Sequence, residues 1–145
     1  MLSKKTKYAI NALLYLAKAG GKDPIPAKQI AAGQNIPYKF LEGILLDMKH
    51  AGLVMSQQGK FGGYLLNRPT EEINMADVMR LFDGAVALLP CVTHKYYKRC
   101  EECTDEVTCG IRQVFLEIRN ETVNRLKSAT LADILKRESS LEKGK

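Results

Sequence analysis

The hydrophobic pattern of this chain changes its period at Leu53, and that change constrains the fold more than any other feature. Before Leu53 the apolar residues recur at helical spacing, whereas Leu53 to Gln57 and Gly63 to Leu66 read as two strands. A glycine-rich tip, Gln58 to Gly62, joins these segments into a predicted hairpin. The pattern therefore predicts a mainly α fold with one small β-hairpin.

Three helices are predicted ahead of the hairpin. The first covers Thr6 to Ala19, the second Ala27 to Gly33, and the third opens at Pro37 and closes at Gly52. Two short helices joined by a tight turn are typical of a helix-turn-helix, and a hairpin directly after them is typical of a wing. The third helix carries an apolar stripe that is predicted to face the core. Its members are Phe40, Leu41, Ile44, Leu45 and Met48.

A further helix and a long loop follow the hairpin. The helix is predicted from Met75 to Phe82, with Asn74 as its cap, and it completes a winged helix-turn-helix domain over residues 1–83. Residues 84–108 show little periodicity and contain most of the cysteines. Because long loops in compact domains are usually functional or disordered, we expect this segment to act as a sensor loop.

The C-terminal part, residues 109–137, is predicted to hold two helices. A long helix runs from Cys109 to Leu126, and a short one runs from Leu131 to Leu135. The long helix has more apolar surface than a domain of this size needs, so we expect it to form a homodimer. The charged tail, residues 138–145, is predicted to be frayed.

Positive charge is concentrated in the first half of the chain. The net charge is +6, but residues 1–68 contain ten Lys/Arg and three Asp/Glu, whereas residues 69–145 contain twelve and thirteen. This asymmetry favours a DNA-binding surface on the first half, where a helix N-terminus would read base edges in the major groove. The candidate DNA-binding residues are Lys4, Lys5, Lys7, Tyr8, Lys28, Tyr38, Lys39, Glu42, Lys49 and Lys60.

These candidates have different expected roles. Tyr38 and Lys39 are expected to contact phosphates or base edges, while Glu42 is either a reader of a cytosine amine or a solvated helix residue. Lys60, at the wing tip, is expected at the minor groove or its phosphates. The glycines beside it either allow close approach to DNA or serve only the turn. Because one winged helix covers few base pairs, we expect a homodimer on a pseudo-palindromic operator in double-stranded DNA.

Four cysteines lie within nineteen residues, at Cys91, Cys100, Cys103 and Cys109. The N-terminal residues show no signal-peptide pattern and no apolar run approaches a membrane span, so we expect a cytoplasmic protein without membrane attachment. In that compartment, clustered cysteines indicate metal or redox chemistry more often than structural disulfides. From the residues alone, an iron–sulfur cluster, a zinc ion and a thiol–disulfide switch are all open readings.

Catalytic patterns are missing from the sequence. It contains no nucleophile–base pairing, no phosphate-binding loop and no paired carboxylates at acid–base spacing, so we expect that the protein is not an enzyme. The alternative to a DNA-binding regulator is a zinc-stabilised module that binds a partner protein and does not bind DNA.

Three parts of the sequence form a recognisable set. They are Leu2 to Ala9, Ile36 to Glu42, and the hairpin phrase of Gly52 to Val54 followed by Gly59 to Leu66, which is the most specific of the three. Together they resemble the Rrf2 family of bacterial transcriptional regulators. The resemblance covers about residues 1–135. It implies a winged helix-turn-helix, a homodimer crossed through the long helix, and binding to an operator in the bacterial cytoplasm, with repression as the expected outcome.

The resemblance also implies a cysteine-ligated [2Fe–2S] or [4Fe–4S] cluster, because many members carry three cysteines just before the long helix. By that pattern Cys91, Cys103 and Cys109 match the three ligands, and Cys100 is additional. Members with a histidine ligand place it three residues after the last cysteine, where this chain has Arg112, which cannot ligate. Cys100 is therefore the candidate for the missing ligand, and zinc is the alternative metal.

Overall fold

The computed structural model describes residues 2–145, and within them it contains a β-hairpin between the third and fourth of six α-helices. Strands β1 (Val54–Gln57) and β2 (Gly63–Leu66) pair antiparallel. The prediction of a mainly α fold with a small hairpin is confirmed. The helices are α1 (Lys4–Lys18), α2 (Ala27–Gln34), α3 (Tyr38–His50), α4 (Met75–Asp83), α5 (Gly110–Ser128) and α6 (Leu131–Lys143).

A tight turn joins α2 to α3. Asn35 adopts the left-handed conformation, with φ 52°, and the amide of Ile36 donates a 2.9 Å hydrogen bond to the carbonyl of Ala31. Asparagine tolerates this conformation better than most residues, so the turn is encoded locally. Ile36 is buried beneath the turn, which fixes the angle at which α3 leaves it.

The buried face of α3 differs in one position from the predicted stripe. Leu41, Ile44, Leu45 and Met48 are fully buried, but Phe40 is 44% exposed. The four buried residues have the spacing of a single helical face, and position 40 lies beside that face. The prediction that Phe40 faces the core is therefore wrong.

A single residue before α2 adds a backbone connection between the hairpin and the helical part of the chain, beside the packing of β1 on α3 and of β2 on α1. Ile25 pairs with Tyr64 as an isolated antiparallel bridge, with N···O distances of 2.9 and 2.8 Å. A Cβ added to Gly63 would lie 2.3 Å from the carbonyl carbon of Ile25, and one added to Gly62 would lie 2.3 Å from the carbonyl oxygen of Gln57. Contacts within the chain therefore require glycine at both positions, which favours the reading that these glycines serve the turn.

The last helix is longer than the sequence pattern indicates. That pattern predicts a short helix over 131–135 and a frayed tail over 138–145, yet α6 continues to Lys143. The prediction of a frayed tail is therefore wrong for most of that segment. Ile134 and Leu135 of α6 also pack against the main hydrophobic core, which is formed largely by residues of α1, α2 and α3.

Three contacts account for the length of α6. Thr130 and Asp133 form a reciprocal capping box at its start. Leu131 is fully buried in the main hydrophobic core. Further along the helix, the Glu138 carboxylate forms an ion pair with Lys18 of α1, with 2.7 Å between Oε2 and Nζ. Polar residues thus continue a helix whose first turns are anchored by burial.

Candidate nucleic-acid interface and cysteine cavity

The N-terminus of α3 presents a cluster of polar side chains. Tyr38, Lys39 and Glu42 are exposed there, and the ammonium of Lys28 on α2 lies 5.9 Å from the centre of the Tyr38 ring. Glu42 raises the pKa of the Tyr38 phenol, chiefly through a side-chain hydrogen bond, with smaller contributions from burial and from charge. The raised pKa favours the neutral phenol, whose hydroxyl can donate a hydrogen bond.

The wing tip adds a second cation. Lys60 is exposed, and its ammonium lies 5.6 Å from the ring centre of Phe61, which is 84% exposed. An aromatic ring at a hairpin tip has no core to enter, so Phe61 is a candidate contact that the sequence analysis missed. Its position in the glycine-rich tip was the available signal. Lys49 is also exposed, near the opposite end of α3.

The candidates on α1 fall into two groups. Lys4 and Lys7 are exposed in its first turns. In contrast, Lys5 is paired with Asp47 of α3 at 3.1 Å and lies 5.4 Å from the Phe82 ring. These internal contacts occupy the Lys5 ammonium, and they make it a link between α1, α3 and α4.

Tyr8 also has an internal role. It is half-buried against the core, and its ring meets the edge of Phe40 at a centroid distance of 5.7 Å. This edge-to-face contact supports the first turn of α3 from below. Of the predicted residues, the structure thus brings Lys28, Tyr38, Lys39 and Glu42 together at one helix end. Lys60 lies on the wing, while Lys5 and Tyr8 support the framework.

All four cysteines line one cavity of about 380 Å³ between the loop and the start of α5. Cys91 is buried in a short 3₁₀ turn, and its sulfur is 3.8 Å from that of Cys100. The amide of Cys103 donates to the carbonyl of Cys100 at 3.2 Å. Cys109 is the N-cap of α5, where its sulfur accepts a 3.4 Å hydrogen bond from the amide of Arg112. The helix N-terminus favours negative charge at that sulfur.

The surroundings of this cavity raise the pKa of one thiol and leave two buried polar atoms without a hydrogen-bond partner in the described part of the chain. A hydrogen bond with Cys91 raises the pKa of Cys100, and burial and neighbouring negative charges act in the same direction. Arg112 Nε and Glu106 Oε1 also line the cavity, and both are buried without a hydrogen-bond partner among residues 2–145. Buried polar atoms are nearly always paired, and an anionic group in the cavity would pair with the Arg112 N–H but not with the Glu106 carboxylate.

The donor set distinguishes between kinds of metal centre. Within residues 2–145, no group of three or more His, Cys, Asp or Glu is arranged to hold a single metal ion. Zinc needs four ligands at about 2.0–2.3 Å, so a closed zinc site is not preformed. An iron–sulfur cluster spreads its thiolate ligands around several atoms. Four thiols around one cavity are a donor set that such a cluster accepts.

Helix α5 carries an apolar stripe that the chain itself leaves uncovered. Ile111, Val114 and Ile118 are 66%, 53% and 40% exposed, and they follow one another at helical spacing. Large exposed apolar patches usually mark an interaction surface.

The described residues contain no helix that is both long and apolar enough to cross a bilayer.

A helix-turn-helix followed by a hairpin that is tied back to the start of α2 defines a winged helix-turn-helix protein. A family model described as "Iron-dependent Transcriptional regulator" matches residues 2–137. The chain therefore belongs to the Rrf2 family of transcriptional regulators, whose members are not enzymes, and both expectations from the sequence are confirmed. Winged-helix regulators of this family bind DNA and are typically dimeric.

Individual relatives agree with the assignment. An Rrf2-like HTH-type transcriptional regulator of Rhodobacter capsulatus is 39% identical over 138 residues, which cover 93% of this chain and 92% of the relative. The structure of CymR, the global cysteine regulator of B. subtilis, is similar with a TM-score of 0.75 at 28% identity, and the match covers 92% of this chain and 95% of CymR. IscR of T. potens gives a TM-score of 0.74 at 28% identity, over 95% and 88% of the two chains.

Proposed function

We propose that this protein is a homodimeric repressor that binds a pseudo-palindromic operator in double-stranded DNA, and that the cysteine cavity controls its operator affinity. The observation that carries the proposal is the polar N-terminus of α3, where Tyr38, Lys39 and Glu42 are exposed beside an anchored wing. We place this activity in the cytoplasm. Membership of a family of transcriptional regulators argues against the alternative of a protein-interaction module that does not bind DNA.

In this proposal the DNA contacts divide between groove and backbone. The start of α3 enters the major groove, with Lys39 reaching a base edge or a phosphate and Tyr38 donating its hydroxyl. Glu42 lies one turn after Tyr38 and raises the pKa of its phenol, so it favours the protonated hydroxyl that donates to DNA. Lys60 contacts the minor groove or its phosphates from the wing. Lys4, Lys7, Lys28 and Lys49 supply further charge around the groove.

The homodimer is proposed to form through the apolar stripe of α5. Ile111, Val114 and Ile118 would be covered by the same helix of a second copy, as expected for a two-fold interface in which one patch meets itself. A two-fold dimer presents two α3 helices, and half-sites one helical turn apart would match them. This is the reason for expecting a pseudo-palindromic operator.

The cysteine cavity is proposed to hold an iron–sulfur cluster ligated by Cys91, Cys100, Cys103 and Cys109. When bound, such a cluster supplies a redox-active, oxygen-sensitive group. The residues of the chain then have defined tasks. Arg112 would offer its unpartnered Nε–H and its positive charge to the anionic group. Cys109 connects the site directly to α5.

Control of DNA binding follows from where these ligands lie. Cys91 is in a turn that packs against α5, and Cys109 caps the same helix. Binding or loss of a group at both positions would change the order of the loop and the tilt of α5, and with it the spacing of the two α3 helices. The operator affinity changes only if the two states differ in their preference for the DNA-fitting arrangement.

A thiol switch is the second candidate, because the sulfurs of Cys91 and Cys100 are already 3.8 Å apart. Two thiols can form a disulfide by giving two electrons and two protons to a peroxide, which is reduced to water and an alcohol or to two waters. In that case the protein would lose two titratable thiols on mild oxidation, and it would contain neither iron nor sulfide.

DNA binding is tested by fluorescence anisotropy on a labelled operator fragment at several salt concentrations. Lys39→Gln and Lys60→Gln are each expected to weaken binding and to lower the salt slope by about 0.9 for every phosphate that the lysine neutralises in the wild type. Lys136→Gln on α6 is the matched control, and it is expected to leave both unchanged. Wild-type affinity and slope in both the Lys39 and the Lys60 variants would refute the proposed interface.

The metal is tested by anaerobic purification, an absorption spectrum, and assays for iron, sulfide and zinc. A coloured protein that contains iron and sulfide supports the cluster, and Cys109→Ser is expected to abolish the colour. A colourless protein with one zinc per chain would overturn the cluster, and a metal-free protein with an oxidisable thiol pair would favour the switch.

A further inference from the structure

A second cavity, of about 440 Å³, lies between the end of α4, the loop and α5. Its walls come from Gly84 to Ala87, from Thr93 to Tyr96, and from Arg119 and Val123 of α5. None of these residues lines the cysteine cavity. At 3.6 residues per turn, Arg119 and Val123 also lie on a different side of α5 from the exposed apolar stripe. The cavity is thus separate from the cysteine cavity, and it borders the apolar stripe through Arg119, which also lines a neighbouring cavity with Ile118 and Asp83.

The charged side chains around this cavity all have the same sign. Arg80, Lys95 and Arg119 line it together with His94, and no Asp or Glu is among the lining residues. The ion pairs within residues 2–145 involve Lys5 with Asp47 and Lys18 with Glu138, so none of the cavity cations is neutralised there. Arg80 and Lys95 are exposed to solvent and Arg119 is half-buried, and a cleft lined by one sign of charge concentrates ions of the opposite sign.

Arg119 provides the most specific signal. Its Nε is buried and has no hydrogen-bond partner among residues 2–145. An unsatisfied buried donor costs free energy, and a guanidinium presents its donors as a planar fork that matches a carboxylate or a phosphate. Arg119 therefore lacks an acceptor of the kind that an oxyanion provides.

The rest of the wall is mostly apolar. Val86 and Val123 line the cavity beside the ring of Tyr96. Gly84 ends α4 with φ 81°, and a Cβ on it would be 3.8 Å from the Tyr96 ring. The ammonium of Lys95 lies 5.7 Å from the centre of that ring. An apolar wall with a few convergent charges, in a volume within the usual range of about 300–1,000 Å³, is typical of a small-molecule site.

We propose that this cavity binds a small organic anion that has one carboxylate or phosphate monoester group and an apolar body. The anionic group would pair with Arg119 and Arg80, and the apolar body would lie against Val86, Val123 and Tyr96. Because the site joins the last turn of α4 to the middle of α5, a bound anion connects the DNA-binding domain to the proposed dimer helix. An anion with unequal affinity for the two arrangements of these helices would change operator affinity as a second input.

The test is a ¹⁵N–¹H NMR titration of the full chain with three probes of similar shape. Phenyl phosphate and benzoate carry the proposed groups, and benzyl alcohol is their neutral counterpart. We expect saturable shifts at the amides around Gly84, Thr93 and Arg119 for at least one anion, with a Kd at or below about 1 mM, and none for benzyl alcohol. The tighter anion identifies the group that the site prefers.

Variants separate this site from general anion binding. Arg119→Gln and Arg80→Gln are each expected to weaken the anion at least about tenfold, which is the effect of losing a charged hydrogen bond. Lys127→Gln, on the same helix but outside the cavity, is expected to bind as the wild type does. Using both arginine variants guards against one of them failing to fold, which circular dichroism would reveal.

Three results would overturn the proposal. They are no saturation by either anion, equal binding of benzyl alcohol, and undiminished binding in both folded arginine variants. Operator binding by the ligand-free protein is measured separately, so failure of this proposal leaves the proposed regulator function standing.

Discussion

Replacing Gly63 with alanine tests whether the wing is fixed to the helices through Ile25. The added Cβ would lie 2.3 and 2.4 Å from the carbonyl carbon and oxygen of Ile25, and 2.7 Å from the nitrogen of Pro26. All three are backbone atoms, so no side-chain rotation can relieve the overlap. Strand β2 would have to move away from Ile25, which would break the bridge to Tyr64.

The magnitude follows from what that movement breaks. Two backbone hydrogen bonds, of 2.9 and 2.8 Å, join Ile25 and Tyr64. Each contributes about 1 kcal/mol, and overpacking a fitted contact costs about 1–3 kcal/mol. The chain can relieve the overlap only by giving up the bonds, so the two costs are partly alternatives. We expect Gly63→Ala to lower the free energy of unfolding by about 2–3 kcal/mol.

Urea unfolding followed by circular dichroism measures this change, at a fixed protein concentration because the proposed dimerisation would contribute to apparent stability. Gly43→Ala is the matched control. Gly43 is exposed inside α3, and a Cβ there would meet nothing within 4 Å. Alanine should therefore stabilise the helix by up to about 1 kcal/mol. A Gly63→Ala protein within about 0.5 kcal/mol of the wild type would refute the anchoring argument.

Three further predictions concern α5 and α6. Val114→Glu should convert the proposed dimer into monomers in sedimentation velocity, because it places a charge on the apolar stripe. Asn120→Glu on the same helix should leave the dimer intact. A dimeric Val114 variant would contradict the proposed interface. The backbone and side-chain hydrogen bonds of Thr130 lower the pKa of Asp133 from 3.8. The stability that these hydrogen bonds contribute is therefore present above the unfolded pKa of Asp133 and is lost as the pH falls through its lower folded pKa. Asp133→Asn should flatten this part of the curve of unfolding free energy against pH, between acidic and neutral pH. An unchanged curve would be the negative result. Thr130→Ala should cost about 1 kcal/mol in urea unfolding by removing the N-cap, with Thr104→Ala in the loop as a neutral comparison.

The parts of the fold that could be predicted are those encoded by neighbours in the sequence. The limits of β2 agree with the alternation from Gly63 to Leu66, and the turn before α3 follows from Asn35 and the proline after it. The bridge between Ile25 and Tyr64 could not be predicted, because a single paired residue leaves no periodicity. The prediction for Phe40 failed for a different reason, because position 40 lies at the edge of the helical face that Leu41, Ile44, Leu45 and Met48 define.

The length of α6 also could not be predicted, because it depends on contacts with residues that are distant in the sequence. Residues 136–143 are mostly polar, so their pattern alone indicates a frayed end. What continues the helix is remote in sequence, because Lys18 of α1 pairs with Glu138 and the core of the N-terminal domain receives Leu131. Capping by Thr130 and Asp133 is local, and it was the one readable sign that a stable helix begins there.

The cysteine spacing predicted a shared site, but it did not predict how that site meets the rest of the protein. Cys109 serves at once as a candidate ligand and as the N-cap of α5, so the first turn of that helix depends on the state of its sulfur. The same helix carries Val114 on its apolar stripe and Arg119 at the second cavity. A helix that shifts as one unit cannot change its cap without changing its other contacts. Chemistry at the cysteines, pairing of two copies and occupancy of the cationic cavity are therefore expected to be coupled through α5, and Cys109→Ser should alter the affinity for benzoate or phenyl phosphate although no cysteine lines that cavity.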